Sequence, residues 1–361
     1  MRGKARTLSL AFVGLFLAVS AVQAEPLSEK YRKVTSDGLD WLARQQYRDG
    51  HWEASGGRYP VAMTGLSGMA LLMEGSNLRT GKYAPNIRRA VDWLMARSMP
   101  NGLIGNPSNP SEAARYMYGH GFSMLFLASV YGGEEDAERR RRLNDILTKA
   151  ALFTHQAQTD KGGWGYVSAR EGRGFDEGSV TITQVQALRA ARNAGIVVPR
   201  KAIDMAVDYL KHSTGTDGGV IYSLASGGRG PGRPALTAAA ISCGFSAGEY
   251  NSPLVKKWFK FCKARLTYLG GRSSGHNEYT HYYYAQAMYS LGETGWAKMF
   301  PDSKLDDRLT WARYRKPTFE HIARTQGTDG GWTGNIGPVY VSAIYLSILQ
   351  LEKGVLPIYQ R

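Results

Sequence analysis

His120 and His281 are the side chains of this sequence best suited to moving a proton near neutral pH. Each stands among aromatic or small neighbours, His120 in Tyr118-Gly119-His120-Gly121 and His281 in Glu278-Tyr279-Thr280-His281-Tyr282-Tyr283, where burial would shift its titration. Asp176, Glu177 and Glu278 place carboxyls where a loop gives way to a helical pattern. A histidine and a carboxylate converging on one opening would make a general acid–base pair. Tyr118, Thr183, Tyr279, Tyr283 and Tyr340 stand near the same helix starts, and their hydroxyls and rings would contact a ligand. A structural role competes with the chemical one, because an acid in a first turn complements the helix dipole and His or Thr can satisfy loop backbone. Which role applies depends on whether these helix starts meet.

The elements that would bring them together are helices in pairs. Apolar spacing of the helical kind dominates the chain, with glycine-rich turns between. It predicts pairs over 29–46 and 60–74, 84–98 and 112–131, 134–158 and 178–194, 200–213 and 234–247, 252–266 and 278–291, and 305–326 and 338–351. First members are amphipathic and charged, as in Ala90-Val91-Asp92-Trp93-Leu94 and Ala206-Val207-Asp208-Tyr209-Leu210, which suits an outer ring with one wet face. Second members are small and nearly uncharged, as in Leu236-Thr237-Ala238-Ala239-Ala240, which suits helices buried on every side. The prediction is an all-α, closed (α/α)6 toroid with a central cavity. The long loops 101–111, 167–177, 223–233 and 270–277 all precede inner helices, so they should crowd one rim and make it the functional mouth.

A turn of the form Gln-x-x-x-Gly-x-Trp recurs along the chain. It appears as Gln46 to Trp52, Gln158 to Trp164 and Gln326 to Trp332, with a relic at Gly215 to Gly219 in which Val220 replaces the Trp. Glycine takes the left-handed conformation at a helix end, glutamine can satisfy loose backbone groups next door, and tryptophan covers a large apolar area. The turn reads as a tie between neighbouring hairpins. With an αα-hairpin between copies, it resembles the prenyltransferase and squalene-oxidase repeat of squalene–hopene and oxidosqualene cyclases and of protein prenyltransferase β subunits. The resemblance implies the toroid and, for a ligand, something hydrophobic and isoprenoid-like.

The activities that the resemblance implies are not matched residue by residue. Cyclases that protonate an alkene carry Asp-x-Asp-Asp; the nearest acids here are Asp176-Glu177 and Asp306-Asp307. Prenyltransferases hold zinc with Asp-x-Cys and His. The stretch Glu278 to Tyr282 is similar to the one bearing the His, but Thr237 and Ala239 stand where Asp and Cys would be expected. No metal site and no cofactor are therefore expected, since zinc wants at least three protein ligands. The thioester toroids need Cys-Gly-Glu-Gln, and Cys243-Gly244-Phe245 lacks it. Glycan-active toroids use carboxylate pairs, which Asp176, Glu177 and Glu278 could supply. Whether the chain is an enzyme stays open. The first expectation is a protein that binds a hydrophobic small molecule or a protein segment at the cavity rim without the known catalytic sets. The alternative is an enzyme of terpenoid or glycan chemistry using the rim acids and histidines.

The start of the chain suggests where it works. Arg2, Lys4 and Arg6 precede an uncharged apolar run from Leu8 to Val22, and Val22-Gln23-Ala24 offers a small-residue cut site. This predicts a signal peptide over 1–24 and one toroid over 25–361, exported to a periplasm or outside the cell, with no integral membrane segment after cleavage. The formal net charge is +15, three units of which would leave with the leader. A basic balance can mean an anionic partner, but export argues against nucleic acid. The run Arg139 to Arg142 spreads around a helix and fits a solvated face. Cys243 and Cys262 could face each other as a disulfide or remain buried thiols.

Overall fold

The computed structural model describes residues 28–225, 227–272 and 275–360. Among them there are helices and turns, and extended pairing is limited to isolated bridges such as Ser98 with Ile104. The leader expected over 1–24 lies outside the described residues. No helix among the described residues is long and apolar enough to cross a membrane.

The outer helices are α1 (Glu29–Arg44), α3 (Ala84–Ala96), α5 (Ala137–Gln156), α7 (Arg200–His212), α9 (Pro253–Arg265) and α12 (Trp311–Thr325). The inner helices are α2 (Pro60–Leu72), α4 (Tyr116–Tyr131), α6 (Gly178–Asn193), α8 (Pro234–Ser246), α10 (Asn277–Leu291) and α13 (Pro338–Leu349). Around the inside, α2 packs on α4, α4 on α6, α6 on α8, α8 on α10, α10 on α13, and α13 back on α2, so the ring closes. The amphipathic contrast is realised as the sequence requires. Every residue of α2 is buried, whereas α7 buries only Ala202, Ala206, Tyr209 and Leu210. Small residues let inner helices touch backbone to backbone: a Cβ on Gly65 would lie 2.7 Å from the Phe122 carbonyl carbon.

The repeated turn is a tie, and it is built the same way each time. Gln46 Nε2 donates to the carbonyls of Gly50 and Asn86, Gln158 to those of Gly162 and Ala202, and Gln326 to those of Gly330 and Val34. Each glutamine thus locks its own turn and grips the next outer helix. The indoles of Trp52, Trp164 and Trp332 donate to the carbonyls of Leu42, Thr154 and Ile322. Their backbone amides donate to the hydroxyls of Thr64, Thr181 and Ser342 on the following inner helix. In the relic, Val220 keeps the last bond, to Thr237 Oγ1 at 2.9 Å, without the indole.

Some details depart from the predicted pattern. Inner helix α4 begins at Tyr116, so Glu112 lies in the preceding turns rather than in the helix. A short helix α11 (Gly295–Met299) and a 3-10 turn at Leu305–Asp307 precede α12, so Asp306 and Asp307 are not helical starts of the outer ring. Cys243 and Cys262 are free and buried, and burial pushes the Cys243 thiol up to about 12. On α5, Arg140, Arg141 and Arg142 are exposed as a solvated face would have it, whereas Arg139 is half-buried and pairs with Glu134 ahead of α5 and with Asp92 of α3.

Candidate functional site

The rim loops converge as their positions implied, and the residues around them enclose a cavity of about 840 Å³. That is within the range of roughly 300–1,000 Å³ typical of small-molecule sites. Its body is apolar: Ala62, Met63 and Leu66 from α2, Phe122 from α4 and Leu236 from α8, with Tyr279 and Tyr340. Its mouth is polar, with Arg58, Glu112, Arg115, Glu177, Arg233, His276 and Glu278. All six inner helices present their N-terminal ends here, because each rim loop feeds the start of an inner helix. Deeper in the bore, Thr183 Oγ1 of α6 meets the Tyr283 hydroxyl of α10 at 3.3 Å, and Gln186 Nε2 donates to Gln286 Oε1 at 2.7 Å. These pairs close the bore, so the cavity is a blind pouch. A separate hollow of about 170 Å³ lies at the other end, lined by Gln186, Gln286 and Tyr359.

Two carboxyls of the pouch are electrostatically unusual. Glu177 caps α6, accepting the amides of Ser179 and Val180 and the hydroxyls of Ser179 and Tyr118. Burial nevertheless raises its pKa. Glu112 Oε1 accepts the Val61 amide at 2.8 Å at the start of α2, while its Oε2 is buried without a partner. Burial pushes this carboxyl up to about 7. It is therefore partly protonated at neutral pH and can donate as well as accept a proton.

Of the residues singled out from sequence, Tyr118, Glu177, Glu278, Tyr279 and Tyr340 line the cavity. The others do not. His120 faces away, between α4 and α5: the Ile104 amide donates to its Nδ1 at 3.1 Å, and its Nε2 meets Thr154 Oγ1 at 2.9 Å. His281 points outward to the Tyr314 hydroxyl of α12 at 2.9 Å. Burial lowers both histidines to about 3, so both are neutral in ordinary buffers and share no pocket. Asp176 is also withdrawn, its Oδ1 accepting the Tyr209 and Ser223 hydroxyls and the Leu224 amide. Thr183 and Tyr283 form part of the closed bore beneath the pouch.

Sequence reasoning missed Glu112, Arg58, Arg115, Tyr166, Tyr222 and Arg233. The signal for Glu112 was present, since it stands in a rim loop just ahead of an inner helix, as Glu177 does. Among the described residues, no three His, Cys, Asp or Glu side chains are placed to hold a metal ion.

This architecture is the α/α toroid of the terpene-cyclase and squalene-cyclase type. No family model matches the sequence. Human lanosterol synthase is 31% identical over 93 residues, which is 26% of this chain and only 13% of that enzyme. Among solved structures, the type II terpene cyclase MstE from Scytonema superposes with a TM-score of 0.60 at 14% identity, covering 92% of this chain and 100% of that one. A form of MstE in complex with geranylgeranyl dihydroxybenzoate gives 0.56 at 13% identity over 91% and 98%. The GH76A α-1,6-mannanase from Salegentibacter gives 0.58 at 10% identity over 90% and 99%. At these identities the likeness is one of fold, and fold alone does not carry chemistry.

Proposed function

We propose that this chain is an exported toroid that binds a hydrophobic, isoprenoid-like small molecule in the rim cavity. The observation that carries this is the pouch itself: about 840 Å³, blind, and lined in its body by Ala62, Met63, Leu66, Phe122 and Leu236. An apolar chain placed there would leave water at roughly 25 cal/mol per Å² of buried surface. A protein segment is less suited, because the pouch is closed below and offers no exposed strand edge for an extended peptide. Export rests on the basic start and apolar run of residues 1–24.

Native mass spectrometry with solvent extraction, on chain purified from its own host, tests the reading. A co-purified prenyl lipid is expected, and it should be missing from an Ala62→Trp variant that fills the pouch while the helical circular dichroism is unchanged. Equal lipid content in both forms would remove the pouch as the site.

A second reading is favoured by Glu112 and Glu177, which are buried, raised in pKa and share one cavity. Such carboxyls could serve hydrolysis of a glycan, with Glu112 as acid. Turnover of α-1,6-mannan oligosaccharides that is lost in Glu112→Gln would support it. The absence of turnover across a panel of bacterial and fungal glycans would leave the binding reading alone.

A further inference from the structure

The body of the pouch explains an apolar chain, but not the cations at its mouth. Arg58, Arg115 and Arg233 all line the opening, and all are exposed. Arg115 occupies the N-cap position of α4 and Arg233 that of α8, neither with a side-chain cap bond. A helix N-terminus is the positive end of the helix dipole and is normally capped by Ser, Thr, Asp or Asn. A guanidinium at that position is a poor cap and meets like charge. Moreover, six inner helices aim their positive ends at this same rim.

The two arginines are also held in matched settings. The Arg115 guanidinium sits 4.7 Å from the centre of the Tyr166 ring, and that of Arg233 sits 4.5 Å from the Tyr222 ring. The hydroxyls of Tyr166 and Tyr222 bond to each other, which joins the two stacked pairs into one arch over the cavity. Among the described residues, neither guanidinium enters an ion pair. The acids nearby do not answer them: Glu177 is committed to the α6 amides, and Glu112, which accepts the Val61 amide through Oε1 and leaves Oε2 buried without a partner, bonds to neither guanidinium. Glu278, in the first turn of α10 beside His276, is the remaining carboxylate of the lining.

We infer that Arg115 and Arg233, with Arg58 as a third cation on the rim, form an oxyanion subsite at the mouth, and that the ligand is an amphiphile whose apolar chain fills the pouch and whose phosphate or carboxylate head lies between these arginines. The inference rests on the apolar reading of the pouch given above and adds the head group to it. Guanidinium forks match both oxyanions, and the converging helix ends add a favourable field for either.

Calorimetric titration of the full chain with farnesyl monophosphate, farnesoic acid and farnesol separates the terms, because the three share one apolar chain. At low salt, at least one anionic ligand should bind ten-fold or more tighter than farnesol, and whichever it is identifies the head as phosphate or carboxylate. Arg115→Gln and Arg233→Gln should each bring that ligand's affinity at least five-fold toward that of farnesol, with thermal unfolding unchanged. Raising the salt should narrow the same gap. Equal binding of all three ligands, or an advantage that survives both substitutions, overturns the oxyanion subsite and leaves the apolar pouch standing. No binding by any of them overturns the pouch reading, and the subsite falls with it.

Discussion

The side-chain amide of Gln326 donates to the carbonyl of Val34 at 2.9 Å, joining residues 292 positions apart and tying the last outer helix to the first. The same bond links Gln46 to Asn86 and Gln158 to Ala202. Here, however, it connects the last outer helix, α12, to the first, α1, and so closes the outer ring around the inner helices that line the cavity.

Gln326→Ala should cost about 1–3 kcal/mol, because two partly buried carbonyls lose their donor. The check is the urea midpoint at constant m-value. Ligand affinity should fall with it, since closure between α12 and α1 supports the rim beside α13 and α2. An unchanged midpoint would mean that apolar packing closes the ring without this tie.

Gly162 has φ +91°, and a Cβ there would come within 2.1 Å of the Met205 carbonyl oxygen on α7. Gly162→Ala should therefore lose on the order of 3 kcal/mol or more, combining left-handed strain with a backbone clash. Gly174, at φ +71° with nothing within 4 Å of its added Cβ, isolates the strain alone. Gly174→Ala should lose only about 1 kcal/mol. Thermal unfolding of both variants compares the two costs directly.

His120 is neutral when folded, and burial has lowered its pKa from 6.5 to about 3. Below pH 6.5 the unfolded chain binds this proton and the folded chain does not, so stability falls as pH drops toward 3. His120→Gln can keep an acceptor for Ile104 and a donor for Thr154, and it should flatten the acid limb by on the order of 3 kcal/mol between pH 7 and pH 4. Ligand binding should be unaffected, because His120 does not line the cavity.

Glu112 has the opposite sign. Its folded pKa is raised from 4.5 to about 7, so between those values the unfolded chain is ionised and the folded chain holds the proton. Stability from this group is full below about pH 4.5 and is lost as pH rises to about 7. Glu112→Gln keeps the acceptor for the Val61 amide and removes the buried charge. It should leave stability nearly unchanged at pH 4.5 and raise it by on the order of 2–3 kcal/mol at pH 8, read from urea unfolding at both pH values.

The toroid itself was legible in the sequence because its signals are local and repeated. Alternating amphipathic and wholly apolar helices such as α7 and α8 dictate which ring each joins, and a recurrent Gln, Gly and Trp at fixed spacing dictates how neighbours are tied. The rim was legible for the same reason, since the loops 101–111, 167–177, 223–233 and 270–277 all enter inner helices and must gather at one end, although the connection from α10 to outer helix α12 is just as long. What the sequence could not settle was the direction in which each rim side chain points. Successive residues of a helix are about 100° apart, so Tyr118 and His120 diverge by about 200°; the first meets the pouch and the second meets α5. The same rotation separates Tyr279 from His281. The depth at which the bore closes, with Tyr283 against Thr183, follows from how far α6 and α10 lean together across the ring. The neutral leaning of Glu112 likewise arises only once the surrounding helices have removed the water, and that exclusion is a property of the closed ring rather than of any one segment.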